Sequence, residues 1–247
     1  MKFEINQEIF DESLRIVEEI FPLHRSISGN GINKALDILK NEIGGKIYQY
    51  NTGSFVMDWR IPDEWVCNDL SICELNIDGS TSTEIISFDH PLRVASHSAS
   101  FKGVISGEEL KKHLVVLEKY PDNLSHRYLY YVDEWLVSVK KDEYEAIIDD
   151  NNYSVNIDTS KFKGSLRVHE KVLGELNKPT VFLLSHICHP AQFNDGLVGV
   201  LLNLYLCKYL EKEQLSNKYT YKFLAFPETI GSHAYCSDNE NIKNSFF

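Results

Sequence analysis

The chain is poor in several things that would have decided its class at once. Its five cysteines are odd in number and never spaced Cys-x-x-Cys, which excludes a disulfide framework and reads as reduced thiols in a cytoplasmic protein. Basic residues are scarce: 25 Lys plus Arg stand against 36 Asp plus Glu, a formal charge of −11. Nucleic acid and anionic membrane surfaces draw on clustered positive charge, so neither is the expected partner. No apolar run is long enough for a membrane span. The longest, from Leu197 to Cys207, covers about half of one and is broken by Asn203. The opening Met-Lys-Phe-Glu-Ile-Asn-Gln-Glu is too acidic, with too short an apolar run, for a signal peptide. No internal repeat and no low-complexity linker occurs. With 43% hydrophobic and 25% charged residues, the composition is that of a globular chain able to bury a large core.

The patterning then divides the chain. Residues 8–21 place Ile9, Phe10, Leu14, Val17, Ile20 and Phe21 at helical spacing, ended by Pro22. A second amphipathic helix, on Ile32, Leu36, Leu39 and Ile43, stops at Gly44-Gly45 and leads into a strand over Lys46 to Tyr50. From about Phe55 to Phe162 the pattern changes to short strand-like runs between turn residues, with one helix predicted over Gly107 to Tyr120. The runs are Ser71–Ile77, Glu84–Phe88, Arg93–Ser96, Tyr128–Tyr131 and Trp135–Val139, and all three Trp lie in this part of the chain. Long elements return after Gly164: a continuous apolar strand over Thr180–Ser185, a helix over Gly196–Glu211, a strand over Tyr219–Phe226 and a helix starting at Ser232–Cys236. Strand, helix, strand in that order is a parallel crossover. The expectation is an α/β domain formed by residues 1–57 and 166–247, with an inserted small α+β domain over 58–165.

Open parallel sheets bind ligands at the carboxyl ends of their strands. Both apolar strands end in ionisable residues: Ser185-His186-Ile187-Cys188-His189-Pro190, continuing to Asn194-Asp195-Gly196, and Phe226-Pro227-Glu228-Thr229-Ile230-Gly231-Ser232. If the strands are neighbours, His186, Asp195 and Glu228 face one edge, which is what a divalent metal needs. Each also has a plainer reading. Asp195 is well placed to cap the following helix, His186 to be a satisfied core histidine, and Glu228 to pair with a basic residue. His189 and His233 read as structural or exposed, and Cys188 as a small buried thiol. Taken together the metal reading gains, because two carboxylates buried at strand ends would cost roughly several kcal/mol each without a counter-charge, and neither motif holds a Lys or Arg.

These motifs resemble the zinc-dependent exopeptidases of the co-catalytic aminopeptidase fold. They are more similar still to a bacterial group of aminopeptidase-like proteins associated with polysaccharide biosynthesis, in which a domain of unknown function splits the peptidase-like domain and a winged helix follows. Arg25-Ser26-Ile27-Ser28-Gly29 resembles the group's N-terminal loop, and Trp59-x-Ile61-Pro62-x-Glu64-Trp65 with Tyr130-Tyr131-x-x-x-Trp135 resembles its inserted domain. The resemblance implies a three-layer exopeptidase-like sheet and one or two weakly held zinc ions. It implies His186 and Asp195 as metal ligands, Asp195 being the bridging one. Glu228 is implied as the general base, or as a third ligand, with a peptide or amino-sugar-type small substrate and a possible oligomer.

Departures accompany it. Cys188 stands where an Asp would orient the metal-binding His, and Thr229 where a second Glu would bind metal. The fold's later Asp and His ligands would lie past Phe247, so the chain is expected to be a fragment or a degenerate copy. Two functions of different class follow: a zinc-dependent hydrolase, including a weaker deacetylase-like variant, or a binding or scaffold protein of envelope polysaccharide synthesis.

Overall fold

In the computed structural model, residues 5–215 and 218–238 are described. In chain order the elements are helix α1 (Gln7–Ile20), helix α2 (Asn30–Ile43), strand β1 (Lys46–Asn51) and a short hairpin of β2 (Phe55–Val56) and β3 (Trp59–Arg60). Strands β4 (Glu64–Leu75), β5 (Thr81–Ser87) and β6 (Phe101–Ser106), helix α3 (Gly107–Lys112), strands β7 (Leu114–Val115) and β8 (Val137–Ser138), helix α4 (Lys141–Glu145) and strand β9 (Asn152–Phe162) follow. The chain then forms β10 (Ser165–Leu173), β11 (Thr180–His186), α5 (Val198–Lys212), β12 (Thr220–Phe226) and α6 (Ile230–Asp238). They fall into two compact units: Met1–Glu64 with Lys163–Phe247, and Trp65–Phe162.

The first unit is built on one sheet in the order β1-β10-β12-β11. β1 and β12 run antiparallel to β10, while β11 and β12 are parallel and in register from Thr180↔Thr220 to His186↔Phe226. That parallel pair, joined through α5, is the crossover expected from the sequence. Alternation along β10 shows the layering. Arg167 and His169 reach α2, through Asp37 and the Gly44 carbonyl, and Lys171 reaches Glu211 on α5. Glu170 points the other way and accepts from the Tyr235 hydroxyl on α6. Helices therefore cover both sheet faces, giving the three-layer α/β arrangement.

α1 starts at Asn6, whose side chain accepts from the Ile9 amide. Its apolar stripe of Ile9, Ile16, Val17 and Ile20 is buried, and α2 buries Ile32, Leu36 and Leu39. Gly44 and Gly45 both have positive φ, and a Cβ on Gly45 would lie 2.3 Å from the Glu170 carbonyl oxygen. Only glycine lets α2 turn into β1 this close to β10.

The second unit has its own four-stranded sheet, β5-β4-β9-β6, and its own core, including Trp65, Ile72, Leu110, Val137 and Val155. Here the structure corrects the sequence reading. The helix expected over Gly107–Tyr120 ends at Lys112, because Leu114-Val115 pairs with Val137-Ser138 and the His113 ring stacks on Trp135 at 3.9 Å. Of the Tyr128–Tyr131 and Trp135–Val139 runs, only Val137–Ser138 is a strand, and Arg93–Ser96 contributes isolated bridges at Val94 and Ser96. Six strands went unread: the two-residue β2, β3 and β7, and the longer β6, β9 and β10.

The chain leaves and re-enters the first unit at neighbouring points. The Glu64 carboxylate accepts from the Ser165 amide at 2.8 Å and from Asn33 at 3.0 Å. Replacing Trp65–Phe162 with a short Gly/Ser linker is therefore expected to leave a soluble first unit that unfolds cooperatively in denaturant. Loss of cooperative unfolding would show that the segment supplies core to the first sheet.

A second expectation concerns pH. His169 is almost fully buried, and burial holds its imidazole below the usual histidine range. His90 and His189 are lowered for the same leading reason. Above about pH 6.5 these rings are neutral both folded and unfolded and contribute nothing to pH dependence. As pH falls below that, the unfolded chain takes up protons first, so stability is lost down through the folded-state values. The unfolding midpoint should drop between pH 7.5 and 5.5, and drop less in His169→Gln. A drop of undiminished size in that variant would exclude His169 as a source.

Candidate metal centre at the paired strand ends

The parallel register carries β11 and β12 to the same edge of the sheet, and pairing runs one residue further, with the Ile187 amide donating to the Phe226 carbonyl. Beyond that point the two segments diverge into turns. Ala191 has φ 51° and Thr229 φ 60°, both in the left-handed region, and Pro227 precedes Glu228.

His186 ends β11. Between β11 and α5 lies a widened helical turn, Phe193–Leu197, in which Asp195 (φ −97°, ψ 95°) and Gly196 (φ 108°, ψ −67°) leave helical geometry. This is why α5 begins at Val198 and not at Gly196. No side chain caps α5, so Asp195 does not perform the capping role open to it in the sequence. Its Oδ1 lies 2.9 Å from His186 Nε2 instead. Gly196 makes the approach feasible: a Cβ there would sit 3.1 Å from His186 Cε1.

His189 is the residue the sequence reading set aside and the structure brings in. Its Nε2 lies 3.9 Å from Asp195 Oδ2 and 3.4 Å from Glu228 Oε2, and its ring meets that of His186 edge to face at 4.7 Å. Two imidazoles and two carboxylates thus converge, with His189 between the acids. Burial lowers the proton affinity of His189, and His186 adds to that, while Asp195 and Glu228 oppose it. The adjacent Pro190, which fixes the chain direction after His189, was the available sequence signal.

The two carboxylates are not buried, contrary to the expectation from the sequence. The Asp195 and Glu228 side chains are 61% and 56% exposed, because both lie on turns beyond the strand ends and not within the apolar strands. What is buried is the layer beneath. Cys188 is 2% exposed, and burial pushes its thiol up to about 12, so it is neutral at pH 7. It accepts from the Glu228 amide at 3.2 Å and lies 3.4 Å from His189 Nδ1, tying the two motifs together. Below it, Arg25 is fully buried and donates to the Ile187 and His189 carbonyls. His233 is bonded to the Thr229 carbonyl and stands apart from the cluster.

The donor set suits a divalent metal of zinc type, which takes imidazole nitrogen and carboxylate oxygen. Among the described residues, ligand atoms of His186, Cys188 and His189 also lie within 4.8 Å of one another. The imidazole–carboxylate set fits better, since Cys188 Sγ is buried and already accepts from the Glu228 amide. One feature speaks for weak holding: the buried Nδ1 of His186 has no hydrogen-bond partner, whereas a metal-bound histidine ordinarily donates its other nitrogen to an acceptor.

The family model described as a domain of unknown function (DUF4910) matches residues 14–246. The chain belongs to that family. A Clostridium acetobutylicum protein, named for polysaccharide biosynthesis and an aminopeptidase-like domain, is 35% identical over 242 residues. The match covers 97% of this chain and 54% of that protein, so the DUF4910 chain spans about half the length of this relative. A crystal structure from the same organism, named as a peptidase, superposes with a TM-score of 0.84 at 34% identity, over 95% of this chain and 54% of that one. A zinc aminopeptidase from Bacillus subtilis gives a TM-score of 0.57 at 14% identity over 91% and 61% of the two chains. An M28 peptidase precursor from Shewanella amazonensis gives 0.53 at 9%, over 95% and 70%. The last two likenesses establish the exopeptidase-like fold.

Thr229 offers a direct test of the local backbone. A β-branched residue in the left-handed region carries strain of about 1–3 kcal/mol, which Asn tolerates better. Thr229→Asn should raise the unfolding midpoint by a few degrees, at roughly 2–4 °C per kcal/mol for a chain of this size. A lowered midpoint would mean that Thr229 makes contacts worth more than the strain.

Proposed function

We propose that the chain is a zinc-dependent, aminopeptidase-like hydrolase acting on a peptide or an acylated amino group, in the setting of polysaccharide biosynthesis. The observation that carries this reading is the 2.9 Å approach of His186 Nε2 to Asp195 Oδ1, with His189 facing both Asp195 and Glu228. His186 and Asp195 would hold the ion, with Glu228 or His189 as a further ligand. Zinc, when bound, supplies a Lewis acid for a carbonyl and makes water more acidic. Glu228 is exposed enough to take a proton from water and return it to a leaving amine. Cys188, by accepting from the Glu228 amide, holds that residue beside His189.

Thr229 favours a second reading, a binding or scaffold protein of envelope polysaccharide synthesis that keeps the fold and one weakly held ion. Its side chain has no charged oxygen to hold a second ion.

Elemental analysis of protein purified without chelator separates the outcomes. Bound zinc is expected, falling at least tenfold in His186→Ala. Unchanged zinc in that folded variant would remove His186 from the site. Aminoacyl-arylamide and N-acetyl-sugar substrates then test turnover, which Glu228→Gln should lower by ~10²–10⁴-fold. Zinc binding with no turnover would leave the scaffold reading in place.

A further inference from the structure

Arg25 is the largest fully buried side chain of the described residues, and its hydrogen bonds all go to main-chain carbonyls. Nη1 donates to Ile20 at 2.6 Å and Phe21 at 3.1 Å, Nε to Ile187 at 2.8 Å, and Nη2 to His189. Burial lowers the guanidinium to about 10, so it stays charged at neutral pH. A buried charge is costly without compensation, and here four carbonyl dipoles supply it. Two belong to the C-terminal end of α1, which has no basic residue in its last turn. Capping α1 would account for those two bonds alone. The other two grip the turn that begins at His186 and ends at His189, more than 160 residues away in sequence.

The loop carrying Arg25 is itself fixed. Its amide donates to the Leu23 carbonyl, Ser26, Ile27 and Ser28 are buried, and a Cβ on Gly31 would lie 2.0 Å from the His24 carbonyl oxygen. The fork therefore joins two rigid pieces: the end of α1 and the turn that presents His189.

We propose that Arg25 is a positioning residue for the imidazole pair: its guanidinium fixes the His186–His189 turn so that the His186 ring faces Asp195 and the His189 ring faces Asp195 and Glu228. The proposal rests on the metal-site reading above for its effect on zinc, but not for its effect on the rings. Lysine keeps the charge and loses the planar fork, so it cannot bridge the same four carbonyls.

The test uses the full chain and two readouts. Zinc titration by calorimetry on Arg25→Lys should show affinity reduced by about 10–100-fold, the range found when outer partners of metal ligands are removed, with the far-ultraviolet circular dichroism unchanged. Long-range ¹H–¹⁵N spectra of the zinc-free protein should show shifted imidazole resonances for His186 and His189, while those of His169 stay in place. A folded Arg25→Lys with wild-type affinity and unmoved imidazole resonances would overturn the proposal. If the wild-type chain binds no zinc, the metal reading fails, while the imidazole spectra still decide the role of Arg25. If Arg25→Lys does not fold, the wild type decides. Exchange of the Arg25 Nε proton with solvent should slow on adding zinc, and not in His186→Ala. In a wild type that calorimetry shows to bind zinc, exchange unaffected by it would overturn the proposal.

Discussion

The parallel pairing of β11 with β12 is the constraint on which the site depends. Because the two strands start and end in step, from Thr180↔Thr220 to His186↔Phe226, both polypeptides leave the sheet at one edge and at one level. Residues from two distant stretches of sequence must then share a few ångströms of space. An antiparallel pairing would have put Glu228 at the opposite end from His186, a strand length of about 20 Å away for seven residues. The α5 crossover makes the parallel register possible, and the turn at Asp195 and Gly196 brings the carboxylate back over the strand that precedes it.

The electrostatics are layered and not simply buried. Carboxylates lie on the solvent side, imidazoles half-buried beneath them, a protonated thiol under those, and a guanidinium at the bottom. Each layer is held by the next through bonds to the main chain: the Glu228 amide to Cys188, and the His189 carbonyl to Arg25. The acids remain accessible while the bases that face them are held in place. A fully buried carboxylate pair would have cost several kcal/mol per ion and gained nothing for an open binding edge.

The chain leaves the sheet unit after Glu64 and returns to it at Lys163. Glu64 is the residue that fixes these two points, by satisfying the Ser165 amide and the Asn33 side chain with one carboxylate. Its partner contacts are tight enough that a Cβ at Gly164 would overlap the Glu64 carboxylate. An insertion at this point leaves the pairing of β1 with β10 uninterrupted, since β10 resumes directly after the crossing. The sheet that carries the site is therefore continuous across the insertion point.

The sequence by itself determined the helices α1 and α2, the glycine stop at Gly44-Gly45, the two apolar strands, and the motifs His186 to Asp195 and Glu228. Those features depend on periodicity, on backbone freedom and on local apolar runs, all of which a short window of sequence contains. The change of pattern near residues 58–165 belonged to the same class of signal. The tertiary structure alone decided which ionisable residues meet. His189 looked structural because no acid adjoins it in sequence; its acids arrive from two turns, at Asp195 before α5 and at Glu228 beyond the end of β12. Arg25 entered the sequence reading only as part of a loop motif, since its acceptors are carbonyls, and carbonyls have no residue signature. β10 was missed because it joins two antiparallel and differently covered neighbours, so its burial follows no simple alternation. Side-chain chemistry is written residue by residue, but proximity is set by strand register, and register is fixed only when the whole sheet packs.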